Sequence, residues 1–128
     1  MSRCSLIKAC RPVVEIDKNK NSLATEKFQN EVLRPILKFQ NKLLIALFIN
    51  TCKKSKSDFF AWNKMQKQTY IEQVFKKDNK IKILFIGLVL ALLTTEEVEI
   101  YYQNESEFNK RILTMLIERL KNQISELN

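Results

Sequence analysis

Eleven consecutive residues, Ile83 to Leu93, read ILFIGLVLALL and carry no polar side chain. A helix that is apolar on every side has to be buried, either in a protein interior or in a bilayer. The run from Ile81 to Thr95 is 15 residues, roughly 22 Å of helix at about 1.5 Å per residue. A hydrocarbon core is about 30 Å thick and asks for about 20 apolar residues. Lys80 and Lys82 bound one end and Glu96 and Glu97 the other, so the run cannot be lengthened without burying charge. A second apolar run, Leu43 to Ile49, is shorter still. The segment therefore reads as a protein core helix, and no transmembrane segment is expected.

What surrounds it must be helical too. One glycine and two prolines in 128 residues leave little of the turn chemistry that β-hairpins need. The expectation is an all-α fold, a compact bundle of about five helices around the central apolar helix from Ile81 to Leu93. Residues 1–24 are expected to be an extended N-terminal arm, with Val13, Val14 and Ile16 available to dock. Residues 25–128 are expected to form a single helical domain.

Thr25 is a candidate N-cap for the first helix, with Glu26 in its first turn. Phe28, Val32, Ile36, Phe39, Leu43 and Leu47 recur every three or four residues and predict one buried stripe. Pro35 interrupts it, and a mid-helix proline costs about 3 kcal/mol unless the helix kinks or restarts. A kink is expected near Pro35. Ser57 or Asp58 is expected to cap the next helix, which opens on Phe59, Phe60 and Trp62 and runs towards Lys77. Asp78 and Asn79 break it before the central helix. Gly87 is expected to mark a close approach of a neighbouring helix. Thr94-Thr95-Glu96-Glu97 fits the S/T-x-x-E capping box and predicts a short helix through Tyr101 or Tyr102. The last helix carries the stripe Phe108, Ile112, Met115, Leu116, Leu120, Ile124 and Leu127.

Charge is unevenly placed. Before Ile83 there are 18 basic and 7 acidic side chains, and from Ile83 onward 4 basic and 7 acidic, within a net charge of +8. Such asymmetry suits a face for nucleic acid or an anionic surface, although a solvated lysine-rich surface accounts for it more simply. Asn30, Arg34, Lys38 and Asn41 share one face of the first helix and form a candidate polar and basic face. Lys53, Lys54 and Lys56 form a candidate basic loop. Three cysteines, Cys4, Cys10 and Cys52, without regular spacing point to free thiols in a reducing cytoplasm. Residues 1–20 hold no apolar stretch long enough for a secretory signal, which supports the same expectation.

Four stretches carry a resemblance: EKFQNEVLRPILKFQNKLL (26–44), YIEQVFKKD (70–78), GLVLALLTTEEVEIYYQN (87–104) and NKRILTMLIERLKNQ (109–123). Together they resemble a family of small all-helical bacterial proteins often labelled "glyoxalase". The resemblance implies a helical cytosolic protein and brings no reaction with it. True glyoxalase I enzymes hold a divalent metal with histidine and glutamate side chains, and this chain has no histidine.

The absence of histidine removes the commonest general base, the usual catalytic zinc ligands and every Ser–His or Cys–His nucleophile. A single glycine removes the P-loop and the dinucleotide fingerprint. No catalytic residue, cofactor or metal is therefore expected, and enzymatic activity is disfavoured. Glu96, Glu97 and Glu99 cluster at a helix start, where capping explains Glu96 and Glu97 better than a metal or acid–base role does. Two readings remain. The first is a protein-interaction or adaptor module that binds a protein partner or forms a homodimer, with Phe108, Ile112, Met115, Leu116 and Leu120 as the candidate interface helix. The second is a nucleic-acid-binding protein that uses Arg34, Lys38, Lys53, Lys54, Lys56, Lys64 and Lys67. Aromatics interleaved with lysines near Trp62 would suit single strands, though aromatics on a helix face are more often core.

Overall fold

A computed structural model describes residues 2–12 and 24–124. These residues form an all-α bundle, with no strand among them. Helix α1 covers Arg3–Cys10. Helix α2, Ala24–Phe28, passes through a π-helical turn at Gln29–Leu33 into α3, Arg34–Lys54. A 3-10 turn at Phe59–Ala61 precedes α4, Lys64–Lys77, and α5, Asn79–Leu90, is the central apolar helix. Helices α6, Thr95–Gln103, and α7, Glu105–Asn122, complete the bundle.

Proline is accommodated by widening rather than breaking the helix. Pro35 stands in the first turn of α3, directly after the π turn. A proline ring would collide with the carbonyl four residues back in a regular helix, and the wider turn relieves that contact. The extra residue rotates everything downstream by about 100°. Phe28 is buried ahead of the turn, and from the turn onward the buried side chains include Leu33, Ile36, Leu37, Leu44, Ile45, Phe48 and Cys52. Phe39 and Leu43, expected in the stripe, are instead 49% and 45% exposed.

Caps set the other boundaries. Thr25 lies inside α2, which is already helical at Ala24, so it does not serve as the N-cap. Neither Ser57 nor Asp58 caps α4. The aromatics form their own 3-10 turn, and Asn63 closes a capping box with Gln66. Asp78 ends α4 and caps α5, its Oδ1 accepting from the Lys80 and Ile81 N–H groups at 3.0 and 3.2 Å. Thr94 and Glu97 form the capping box read from the sequence.

The core is threaded by a file of aromatic rings. Phe85 of α5 meets Phe75 of α4 at 5.2 Å, and Phe75 stacks on Phe48 of α3 at 6.4 Å. Phe48 then meets Phe59 edge-on at 5.5 Å. Phe59 contacts Trp62 and Tyr70, which bring the file out to the surface. On α5, Phe85 and Val89 are fully buried, as is Leu93 just beyond its end, against α3, α4 and α7. The wrapping is incomplete: Ile83 is 71% and Leu84 46% exposed on the opposite side. Gly87 is exposed as well, and a Cβ added there would meet nothing within 4 Å. It does not mark a close approach.

The N-terminal segment is not an extended arm over residues 3–10. Ser2 caps α1, and two arginines fasten the helix to the carbonyl end of α5. Arg3 donates to the Leu93 and Ala91 carbonyls, both at 2.9 Å. Arg11 donates to the Leu92 carbonyl at 2.8 Å and grips Glu97 with both Nη atoms, at 2.8 and 2.5 Å. Arginine is suited to this task because its fork satisfies several orphan carbonyls at once. Val13, Val14 and Ile16, expected as docking residues, lie outside the described residues.

Candidate functional site: an aromatic groove beside two basic clefts

Helix α4 builds the first part of the site. Met65, Gln66, Thr69, Tyr70 and Gln73 share one of its faces, and Trp62 leans in from the preceding turn. Together they line an open groove of about 510 Å³. Trp62 is held against Tyr70 at 5.3 Å, with buried Phe59 behind both rings. The floor of the groove is thus the outer end of the core's aromatic file. Met65 stands at its mouth, 75% exposed. A rigid aromatic wall with an adaptable thioether beside it is well suited to receiving apolar side chains.

The adjoining face of α4 is basic. Lys64, Lys67 and Gln68 face Lys121, Asn122 and Ile124 of the α7 end across a cleft of about 340 Å³. Lys67 is buried with its ammonium 5.4 Å above the Phe59 ring. Lys121 pairs with Glu72. The Lys121 ammonium, by hydrogen bond and by charge, holds Glu72 below the usual carboxylate range.

Asn122 also lines a second cleft, about 350 Å³, between α3 and α7. Its other walls are Arg34, Met115, Glu118, Arg119 and Gln123. Asn30 accepts from Arg34 Nε at 2.8 Å. Asn41 and Gln123 exchange a reciprocal amide pair at 2.7 and 2.8 Å, fixing α3 to the end of α7. Of the polar face read from the sequence, Arg34 therefore lines a cleft while Asn30 and Asn41 hold its walls. Lys38 is exposed on the same helix.

The basic loop lies near the groove. Lys53 and Lys54 end α3, and Lys56 follows with a left-handed backbone, φ 56°. Between them, Ser55 Oγ is 3.4 Å from the Tyr70 hydroxyl. The candidate interface helix turns its apolar stripe inward. Phe108, Ile112, Met115, Leu116 and Leu120 are all buried in the chain's own core. The stripe that makes α7 look like a dimer seam is spent packing against α4, α5 and α6.

Of the acidic cluster, Glu97 is tied into the structure by Arg11 and Thr94. Burial raises the Glu97 pKa, but the hydrogen bonds and charge of Arg11 and the hydrogen bonds of Thr94 outweigh it and hold the carboxyl below its usual range. Cys52 is fully buried, and desolvation pushes its thiol up to about 11. Among the described residues no group of histidine, cysteine, aspartate or glutamate could hold a metal ion, and no helix is long and apolar enough to cross a membrane.

No protein-family model, curated protein or solved structure matches the chain.

Sequence reasoning missed Arg119, Asn122 and the use of Met65. The first two were legible only as polar positions on α7, since their meeting with Arg34 depends on how α3 and α7 pack. Met65 reads as one more apolar residue of α4 until its exposure is known.

Proposed function

We propose that this protein is an interaction module whose α4 groove receives an acidic partner segment through an apolar anchor. The observation that carries the reading is the exposed groove of Trp62, Met65 and Tyr70 with lysine-bearing segments next to it. Lys53, Lys54 and Lys56 flank Ser55, whose hydroxyl meets that of Tyr70, and Lys64 precedes Met65 at the start of α4 and lines the neighbouring cleft. An amphipathic helix or strand with one large apolar side chain and flanking carboxylates is complementary to that arrangement. Association would be steered by the basic surroundings and weakened by salt, while the anchor sets the residence time. The resemblance to the helical family labelled "glyoxalase" is carried in the same sense, as a likeness of scaffold with no reaction attached. Three cysteines without a disulfide among the described residues support a reducing cytoplasm as the working compartment.

A second reading places single-stranded nucleic acid on the same face, with bases on Trp62 and Tyr70 and phosphates on the lysines. What favours it is the continuity of cations past Asn122, from Lys64 and Lys121 to Arg119 and Arg34.

One titration separates the two. The labelled protein is followed by NMR against an amphipathic helical peptide with acidic flanks, its basic-flanked counterpart and a 15-nucleotide dT strand. The expected result is shifts at Trp62, Met65 and Tyr70 with the acidic peptide alone, lost in Met65→Glu. Shifts with dT that weaken steeply with salt would transfer the site to nucleic acid. No shift with any of the three at millimolar concentration would remove both readings.

A further inference from the structure

We propose that the cleft between α3 and α7 is a binding site for hydrogen phosphate, held by Arg34, Arg119 and Asn122 and selected by Glu118. Two guanidinium groups line this one cleft. Among the described residues, neither has a carboxylate within ion-pair distance. Arg34 has its Nε committed to Asn30, leaving both Nη atoms for other use. Gln123 Nε2 donates to the Arg119 backbone carbonyl at 2.9 Å, a contact within the last turns of α7. That amide's other hydrogen goes to Asn41, so Gln123 positions the wall and has no donor left for a ligand.

The cleft brings two like charges close together. Arg119 is partly desolvated and faces the like charge of Arg34, and both effects lower its pKa. Arginine does not deprotonate in proteins, so both groups stay charged, and an anion between them would offset their repulsion. A tetrahedral dianion answers two forks at once, which is the geometry guanidinium groups recognise best.

Glu118 decides which dianion. A carboxylate lining a cationic cleft repels an anion with acceptors only. It accepts a hydrogen bond from one that still carries an O–H. Hydrogen phosphate has that proton near neutral pH and sulfate does not. The lining thus fits phosphate and disfavours sulfate, even though size and charge are nearly the same.

This site is distinct from the α4 groove, and its test does not depend on that reading. The thermal midpoint is measured in phosphate-free buffer with added sodium phosphate or sodium sulfate at matched ionic strength, and phosphate affinity is measured by calorimetry. The expected result is a saturable rise with phosphate that sulfate does not reproduce. Arg119→Gln and Arg34→Gln should each weaken phosphate at least tenfold while remaining helical by circular dichroism. Glu118→Gln should abolish the preference over sulfate. Equal effects of the two salts on the wild type, or a phosphate response unchanged in both arginine variants, would overturn the proposal. A competition arm adds the 15-nucleotide dT strand. Failure of dT to displace phosphate supports a small phosphate ligand. Displacement that is lost in Arg119→Gln would make the cleft a seat for a nucleic-acid backbone and overturn it.

Discussion

Lys56 sits where the end of α3 forms a Schellman closure. The Ser57 N–H reaches the Cys52 carbonyl at 3.4 Å, and the Lys56 N–H reaches Lys53 at 3.2 Å. That geometry requires a left-handed residue, which glycine adopts freely and lysine does not. Lys56→Gly should therefore stabilise the fold by roughly 1 kcal/mol in urea melts. If the basic loop serves recognition, the same variant loses affinity while gaining stability. Gly87 presents the reverse case, an exposed helical glycine with open space around its Cα. Gly87→Ala should add about 0.5–1 kcal/mol, since only backbone entropy and propensity change. Cys52 gives a third check at this scale. Buried, with its thiol pushed up to about 11, it should resist a thiol reagent at neutral pH. The more accessible Cys4 and Cys10 should label first, counted by mass spectrometry.

Among the elements, α1 depends most on particular side chains. Only Ile7 is buried on it, so the helix is held by Arg3 and Arg11 more than by apolar contact. The Arg11–Glu97 pair is nearly buried, with side-chain exposures of 11% and 13%. Removing one partner strands the other away from water, and Arg11→Ala should cost roughly 3 kcal/mol by denaturant unfolding. Glu97 also brings acid sensitivity. Its folded pKa lies below the ordinary 4.5, so its contribution is full above that pH and is lost as pH falls through the folded value. Glu97→Gln should flatten the stability curve in that acid range. The Thr94–Glu97 box was legible because its signal is local and sits within four residues. The latch was not, because Arg3 and Arg11 lie more than 80 positions from their partners and nothing in the early sequence marks them.

For the molecule as a whole, the aromatic file from Phe85 to Trp62 links the buried centre to the face that carries the groove. Phe48, at the middle of it, is fully buried. Phe48→Ala should cost about 3–5 kcal/mol, whereas Ile83→Ala on the open side of α5 should change stability by less than about 0.5 kcal/mol. Fold class was readable from the apolar run, the scarcity of glycine and the helical spacing. The rotational setting of α3 was not, since it turns on a π insertion before Pro35 that periodicity alone cannot place. The site was readable as charge but not as shape. Arg34 stood out on α3, while its counterpart Arg119 became visible only when α7 packed alongside.

Trp62 is the chain's single tryptophan, and it forms one wall of the groove. The protein therefore carries its own fluorophore at the place where a visitor would arrive. Emission colour and quenching can report occupancy in unlabelled material, and the signal comes from that one indole alone.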